Sequence, residues 1–331
     1  MIIHLNKNTP EELINDIKSS SDTFINKKTD HYQVINSSKI KHHNKNLDPF
    51  IIDHFVFDND IQIASKKYIS NRTLSVNNRL IGRESGNFTV IMGPCSIEDE
   101  DQMNKTADLI TQLNLNSIRG GAYKPRTSPY SFQGLGSKGL RILNNIGTKH
   151  QLATFSEAKD ATQIEELIEF ADVVQVGAKS MYDHGILNAL GKCNKPVLLK
   201  RGFATTLQEF VQAAEFILCR GNENVILCER GIRTFENHTR FTLDMCGVSW
   251  LKEHINLPIV IDPSHALGER YGIKDLSKAA VAMGVDGLLI EIHPNPDSAL
   301  SDSSQQLNFE QAIELIEVIK PYLDIEKRKL V

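Results

Sequence analysis

Eight short apolar runs recur along the chain, at residues 88–94, 117–123, 151–158, 173–178, 196–202, 225–231, 258–264 and 287–294. Most are rich in Val, Ile and Leu and do not alternate with polar residues, which is how strands buried on both faces read. The intervening segments carry apolar residues at helical spacing, as in 207–218, where Leu, Phe, Val, Ala, Phe and Ile recur on one side. Eight strand–helix units over roughly 240 residues predict an α/β fold, a (β/α)8 TIM barrel. An open doubly wound sheet is the competing architecture. Eight units, and the absence of a GxGxxG turn after the first strand, argue against it.

Polar residues gather where such a barrel would build its active site, at the carboxyl ends of the strands. Gly-Pro-Cys95-Ser, Lys124-Pro-Arg-Thr-Ser, Lys200-Arg-Gly, Glu229-Arg-Gly and Asp262-Pro-Ser-His each follow a predicted strand. Cys95, His265, Glu291 and Asp302 fall after the first, seventh and eighth strands, so closure would bring them to one rim. A thiolate, an imidazole and two carboxylates suit Mn²⁺, Fe²⁺, Co²⁺ or Zn²⁺. Taken singly, a cysteine after a strand is usually a small buried hydrophobe, and a histidine in Pro-Ser-His can simply cap a loop. A carboxylate inside the apolar run Gly287-Leu-Leu-Ile-Glu-Ile-His needs a partner, however, and a metal supplies one for Glu291.

A cationic set accompanies these residues. Arg119 and Lys124 lie on the second predicted strand, Arg126 follows with the hydroxyls of Thr127 and Ser128, and Lys179, Lys200, Arg201 and Arg230 end the fourth to sixth. Basic residues mostly decorate solvated surfaces, but several at strand ends can hold two phosphates and a carboxylate, Arg as a bidentate fork and Lys as a point charge.

Composition narrows the function classes. The net charge is -4, which offers no global basic field toward nucleic acid or membrane. The opening residues have too short an apolar run for a signal peptide, and no stretch approaches the roughly 18 apolar residues of a membrane span. Cys95, Cys193, Cys219, Cys228 and Cys246 are odd in number and form no CxxC, which predicts reduced thiols in a cytoplasmic protein. Residues 1–72 read as a separate module ahead of a barrel at 73–331. A strand at 1–6, a helix at 9–19, a second or third strand at 32–37, a helix at 49–57 and a last strand at 61–65 or 67–69 suggest a small ferredoxin-like α+β module of split βαβ type.

At the rim motifs a resemblance becomes close. Gly93-Pro-Cys-Ser-Ile-Glu98, the run from Arg119 through Lys124-Pro-Arg-Thr-Ser to Gly136, Leu199-Lys-Arg-Gly202, Cys228-Glu-Arg-Gly-Ile-Arg-Thr-Phe-Glu236, Asp262-Pro-Ser-His265 and Glu291-Ile-His-Pro294 resemble the signatures of 3-deoxy-D-arabino-heptulosonate 7-phosphate (DAHP) synthase, bacterial type I beta form. The resemblance implies condensation of phosphoenolpyruvate with erythrose 4-phosphate, the first step of the shikimate pathway. It implies Cys95, His265, Glu291 and Asp302 as ligands of one divalent metal ion. Arg119, Lys124, Lys200 and Arg230 would hold phosphoenolpyruvate, Arg126, Thr127 and Ser128 the aldose phosphate, and Lys124 would donate or relay a proton unless a metal-bound water does so. The sister family, 3-deoxy-manno-octulosonate 8-phosphate synthase, resembles Lys-Ala-Asn-Arg-Ser-Ser at the loop that here reads Lys-Pro-Arg-Thr-Ser, so erythrose 4-phosphate is the expected aldose. A catalytically dead regulatory paralogue is the alternative of another class, and the complete set of four ligands argues against it.

One strand end departs from the family pattern. Gly177-Ala-Lys-Ser stands where the family carries Gly-Ala-Arg-Asn, so Lys179 keeps the charge for the phosphate of phosphoenolpyruvate but loses the fork. The first module resembles the domain that some family members carry for feedback inhibition. That implies an aromatic amino acid effector and a homodimer or homotetramer, with a purely structural role as the other reading.

Overall fold

The computed structural model describes residues 1–19, 23–124, 126 and 128–331. Its amino-terminal part is a four-stranded antiparallel sheet made of β1 (Ile2–Asn6), β2 (Thr23–Lys27), β3 (His31–Asn36) and β4 (Ile51–Phe55), in the order β2-β3-β1-β4, with one helix, α1 (Glu11–Lys18). This is the strand order of a split βαβ module. Two expectations are corrected here. Residues 49–57 are not a helix but the end of a 3-10 turn (Lys45–Phe50) and an edge strand, β4. Pro49 lacks an N–H for a helix interior, and the β-branched pair Ile51-Ile52 favours extended backbone. Residues 61–69 form no strand of this sheet. Their backbone is spent on the barrel instead, with Lys66 N donating to His254 O at 2.9 Å and Ser65 bridging Ile255. Strand β2, at the opposite edge, had no counterpart among the predicted elements.

Two short strands follow, β5 (Leu74–Val76) and β6 (Arg79–Ile81), joined by Asn77 and Asn78, both at positive φ (46° and 62°). Asparagine tolerates that conformation, and two such residues make a tight hairpin whose twist matches its strands. Leu74, Val76 and Ile81 pack with Ile91, Phe155, Leu198, Ile226, Val260 and Leu289, so the hairpin plugs the floor of the barrel.

Among the described residues, eight parallel strands form the barrel: β7 (Asn87–Gly93), β8 (Ser117–Arg119), β9 (Ala153–Ala158), β10 (Val173–Val176), β11 (Val197–Lys200), β12 (Val225–Glu229), β13 (Ile259–Ile261) and β14 (Gly287–Glu291). The sheet closes where β14 pairs β7 in parallel, Gly287 opposite Thr89 and Glu291 opposite Gly93. Helices α2 (Glu100–Gln112), α3 (Ser137–His150), α4 (Ile164–Phe170), α5 (His184–Gly191), α6 (Leu207–Leu218), α7 (Met245–His254), the short α8 (Pro263–Leu267), α9 (Ile273–Ala282) and α10 (Phe309–Ile325) surround it, and β15 (Lys329–Leu330) pairs with β7. The strands obey their period of two. Ile91, Leu198, Ile226 and Leu289 fill the interior, while Val90, Met92, Leu199, Leu227, Leu288 and Ile290 pack outward under the helices. Both faces are therefore apolar, which is why these runs show no alternation in the sequence. Among the described residues, no helix is long and apolar enough to cross a membrane.

Candidate active site at the carboxyl rim of the barrel

Strand ends β7 and β14 meet at the rim because Gly93 and Glu291 are register partners. Gly93 sits at φ +151°, and a Cβ there would lie 2.0 Å from the Arg119 carbonyl oxygen, so only glycine lets the chain turn toward Cys95 against β8. The Cys95 side chain is buried, and its Sγ donates to Asp302 Oδ2 at 3.3 Å. Lys124 Nζ lies 3.0 Å from that sulfur and 3.0 Å from the Cys95 carbonyl oxygen. One donor atom each from Cys95, Glu291 and Asp302 falls within 4.8 Å of the others. His265 Nε2 stands 3.4 Å from Glu291 Oε1 and 4.0 Å from Asp302 Oδ2, at the edge of that cluster.

Each ligand candidate is positioned by a named contact. Asp262 caps α8, its Oδ1 accepting from His265 N at 2.9 Å, while its Oδ2 lies 2.7 Å from His265 Nδ1. The second contact fixes the ring so that Nε2 faces Glu291, the arrangement by which an outer carboxylate orients a metal-binding histidine. Glu291 is fully buried, ion-paired to Arg119 through Oε1, and accepts from Gln305 Nε2 through Oε2 at 2.5 Å. Asp302 sits on the loop after β14 at φ +46°, a left-handed conformation held by its neighbours. Ser301 Oγ meets Ser96 Oγ at 2.6 Å, and the Gln306 amide joins the Cys95 N–H at 2.9 Å to the Ser301 carbonyl at 2.8 Å.

Electrostatics at the rim follow from burial and close charges. Burial pushes the Cys95 thiol up to about 12, and Glu291 adds to the rise. Burial would raise Glu291 and Asp302 as well. His265 together with Arg119 holds Glu291 below its ordinary value, and His265 together with Lys124 and Arg240 holds Asp302 well below the usual carboxylate range. Lys124 is raised despite its burial, because Cys95 and Glu157 favour its charge. A buried thiol and two carboxylates drawn together beside an oriented imidazole would repel one another once ionised, and a divalent cation fits that donor set.

A family model described as the DAHP synthetase I family matches residues 61–326. The chain belongs to the DAHP synthetase I family. It is similar to the phospho-2-dehydro-3-deoxyheptonate aldolase of Thermotoga maritima, 47% identical over 72% of this chain and 71% of that one. A crystal structure of phospho-2-dehydro-3-deoxyheptonate aldolase (DAHP synthase) from Thermotoga maritima covers 100% of this chain and is itself covered to 99%, with a TM-score of 0.81 and 36% identity. The 2-dehydro-3-deoxyphosphooctonate aldolase of Syntrophotalea carbinolica is 31% identical over 68% of this chain and 88% of that one. Family membership makes this protein an enzyme, a DAHP synthase.

Within this DAHP synthetase barrel the predicted cations have separate fates. Arg119, Lys124, Lys200 and Arg230 converge on the rim: Lys200 Nζ is 2.8 Å from Asp262 Oδ2 and 3.5 Å from His265 Nδ1, and Arg230 NH2 is 3.5 Å from the His265 carbonyl oxygen. Arg126 NH1 reaches Asp302 Oδ1 at 3.7 Å. Arg201 turns away into a buried pair with Glu229 (2.9 Å) and a contact to Asp244 (2.8 Å), so it serves the fold. Ser128 is engaged within its own loop, its Oγ accepting from Tyr130 N at 3.3 Å. Thr127 lies outside the described residues. Lys179 follows β10 in a short 3-10 turn (Ala178–Ser180) and is exposed. Sequence reasoning missed Asp262, Gln305, Gln306 and Glu157 as members of this network. Asp262 was visible in Asp-Pro-Ser-His. Gln306 was not, because its partner Cys95 is 211 positions away.

Proposed function

We propose that this enzyme catalyses the metal-dependent condensation of phosphoenolpyruvate with erythrose 4-phosphate, giving DAHP and inorganic phosphate in the first step of the shikimate pathway. The observation that carries this reading is the convergence of Cys95, Glu291 and Asp302 within 4.8 Å, with His265 beside them and buried cations around. The names of the relatives support it. Cys95, His265, Glu291 and Asp302 would hold one Mn²⁺, Fe²⁺, Co²⁺ or Zn²⁺ ion, which when bound supplies Lewis-acid polarisation of the aldehyde carbonyl.

The remaining work falls to the chain's own residues. Arg119, Lys200 and Arg230 hold the phosphate and carboxylate of phosphoenolpyruvate, with Lys179 at the outer side. Arg126, Thr127 and Ser128 hold the aldose phosphate. Holding both substrates replaces a bimolecular encounter by a positioned one. C3 of phosphoenolpyruvate forms the new carbon–carbon bond to the aldehyde carbon, and Lys124, a buried cation 3.0 Å from Cys95 Sγ, donates a proton to the aldehyde oxygen. The positive charge left at C2 is answered by water, which adds there and loses a proton. The C2–O bond to phosphate then breaks and phosphate leaves. Developing charge is met throughout by cations already in place.

The test is phosphate release from phosphoenolpyruvate against a panel of erythrose 4-phosphate, arabinose 5-phosphate and ribose 5-phosphate, each with and without chelator. Turnover should be fastest with erythrose 4-phosphate, vanish with chelator and return on adding Mn²⁺. A preference for arabinose 5-phosphate would move the chain to the octulosonate reaction. Metal-loaded protein that turns over none of them would overturn the catalytic reading in favour of a regulatory paralogue.

A further inference from the structure

The buried cations of the rim are mostly matched to anions. Arg119 pairs with Glu291, Lys200 with Asp262, Arg201 with Glu229 and Asp244, and Lys124 sits on the Cys95 sulfur. Arg230 differs. It is 3% exposed, yet among the described residues no carboxylate oxygen lies within 4.0 Å of it. Its hydrogen bonds are two long ones, both 3.5 Å, to the carbonyl oxygens of Gly231 and His265. A buried guanidinium without a counter-ion is costly unless something else meets its charge.

Two phenyl rings meet it. The Arg230 Cζ stands 4.1 Å from the Phe241 ring centroid and 5.0 Å from that of Phe203, and the two rings stack on each other at 5.0 Å and 16°. They arrive from different loops. Phe203 follows β11 directly after Lys200-Arg201-Gly202. Phe241 lies on the returning limb of the loop after β12, where Ile232 and Thr242 exchange backbone hydrogen bonds at 2.9 Å. The loops are joined by Arg233 N donating to Phe203 O at 2.7 Å. Gly231, at φ +91°, makes the approach feasible, since a Cβ there would come within 2.7 Å of Phe241 Cβ. Both rings are only partly buried, so neither is placed by the hydrophobic core alone.

A π face and a carboxylate stabilise a guanidinium in different ways. A carboxylate occupies the N–H edges of the fork, whereas an aromatic face attracts the charge and accepts none of those donors in the plane. We infer that Phe203 and Phe241 are positioning residues that hold Arg230 at the rim, Phe241 by its ring face and Phe203 by stacking on Phe241, leaving the N–H edges of the guanidinium unclaimed by any carboxylate and able to grip the phosphate of phosphoenolpyruvate. The inference rests on the proposed role of Arg230 in binding that substrate. It adds why this one arginine carries its charge unspent, and it makes the two phenylalanines determinants of phosphoenolpyruvate affinity.

Calorimetric titration of phosphoenolpyruvate into the metal-loaded full chain tests this, with steady-state kinetics on the same preparations. Phe241→Leu keeps apolar bulk and removes the ring, Phe241→Tyr keeps the ring, Phe203→Leu removes the second ring, and Arg230→Met removes the charge. Either leucine variant should weaken binding roughly three- to tenfold, the range of a partly desolvated cation–π contact, and Phe241→Tyr should stay within about twofold of the parent. In the leucine variants KM for phosphoenolpyruvate should rise while kcat stays within about twofold, as expected for lost uniform binding. If Arg230→Met weakens binding but both leucine variants match the parent, or if leucine and tyrosine at 241 weaken it equally, the ring faces do not hold the arginine and the inference falls. If Arg230→Met itself binds like the parent, the underlying role of Arg230 falls, and the inference with it.

Discussion

At the scale of single residues, close charges at the rim offset the cost of burial, keeping Glu291 and Asp302 ionised and Lys124 protonated, while the Cys95 thiol keeps its proton. Burial and Glu291 hold the Cys95 thiol protonated up to about 12, so a metal must displace that proton to gain a thiolate ligand, and affinity should climb with pH. Cys95→Ala should yield a barrel that melts cooperatively but holds no stoichiometric metal and turns over nothing. Metal analysis beside a thermal melt checks this, and full turnover in purified Cys95→Ala would remove Cys95 from the ligand set. Asp262 supports two neighbours at once, His265 at 2.7 Å and Lys200 at 2.8 Å. Asp262→Asn should weaken Mn²⁺ binding about 10- to 100-fold, the usual cost of losing an outer-sphere carboxylate behind a ligating histidine. Equilibrium dialysis reads that directly, and unchanged affinity would mean that the imidazole is oriented by something else.

At the scale of elements, the alternation of each barrel strand divides the core into an inner plug and an outer shell. The inner plug needs a floor, and β5–β6 supplies it with Leu74, Val76 and Ile81, each 4% exposed or less. These residues belong to no strand of the barrel, so the sequence gives them no periodic signal beyond three residues apiece. Leu74→Ala should open a cavity that the rigid barrel cannot collapse, lowering stability by about 2–4 kcal/mol in urea unfolding without moving KM for either substrate. A loss below about 0.5 kcal/mol would show that the hairpin is a cover and not part of the core.

At the scale of the whole molecule, the module sits against the carboxyl-terminal half of α6 and the loops that precede β12 and β13, away from the rim. Lys28 pairs with Glu223 at 2.7 Å, Asn26 Nδ2 donates to the Cys219 carbonyl at 3.1 Å, and Arg72 Nε donates to Asn256 Oδ1 at 3.2 Å. The Met1 ammonium and Glu215 lie at the centre of this contact, joined through Gln62. Glu215 accepts from Gln62 N at 2.7 Å and Ala64 N at 2.9 Å, yet burial pushes its carboxyl from 4.5 up to about 7. Between those two values the folded chain keeps a proton that the unfolded chain loses, so stability falls as pH rises through that window. The Met1 ammonium, lowered by burial from 8.0 to about 6, works the other way and restores stability between those values. Glu215→Gln keeps the acceptor and should flatten the first trend. The parent should lose up to about 2 kcal/mol relative to it between pH 5 and pH 7 in urea unfolding, and parallel pH profiles would refute the assignment.

We propose residues 1–72 as a regulatory module on a catalytic barrel of 73–331, with tyrosine before phenylalanine as the effector. Because the module docks away from its own rim, the rim it would close belongs to another copy in a homodimer or homotetramer. Tyrosine should inhibit the full chain, and a chain beginning at Ile61 should stay active and ignore it. Cutting there keeps Gln62, Ala64, Arg72 and the hairpin, whereas cutting at Asn77 would remove half the floor of the barrel. A full chain indifferent to aromatic amino acids, chorismate and prephenate would leave the module structural.

The amino-acid sequence alone determined the barrel and most of the residues that reach its rim, because strands buried on both faces must be continuous apolar runs and the rim residues follow them directly in the chain. Cys95, Lys124, Lys200, Arg230, His265 and Glu291 were legible for that reason. The second strand edge of the module and the floor hairpin were not, since short segments have no period of their own and are fixed by what they pack against. Tertiary structure alone decided which cation is spent on which anion. Arg201 and Arg230 are next to equivalent in sequence, each closing a strand in an Arg-Gly pair, yet one is consumed by Glu229 and Asp244 and the other is held against two rings. Charge pairing depends on distances of a few ångströms between strands far apart in the chain, and Coulomb energy in a buried rim changes by kilocalories over that range.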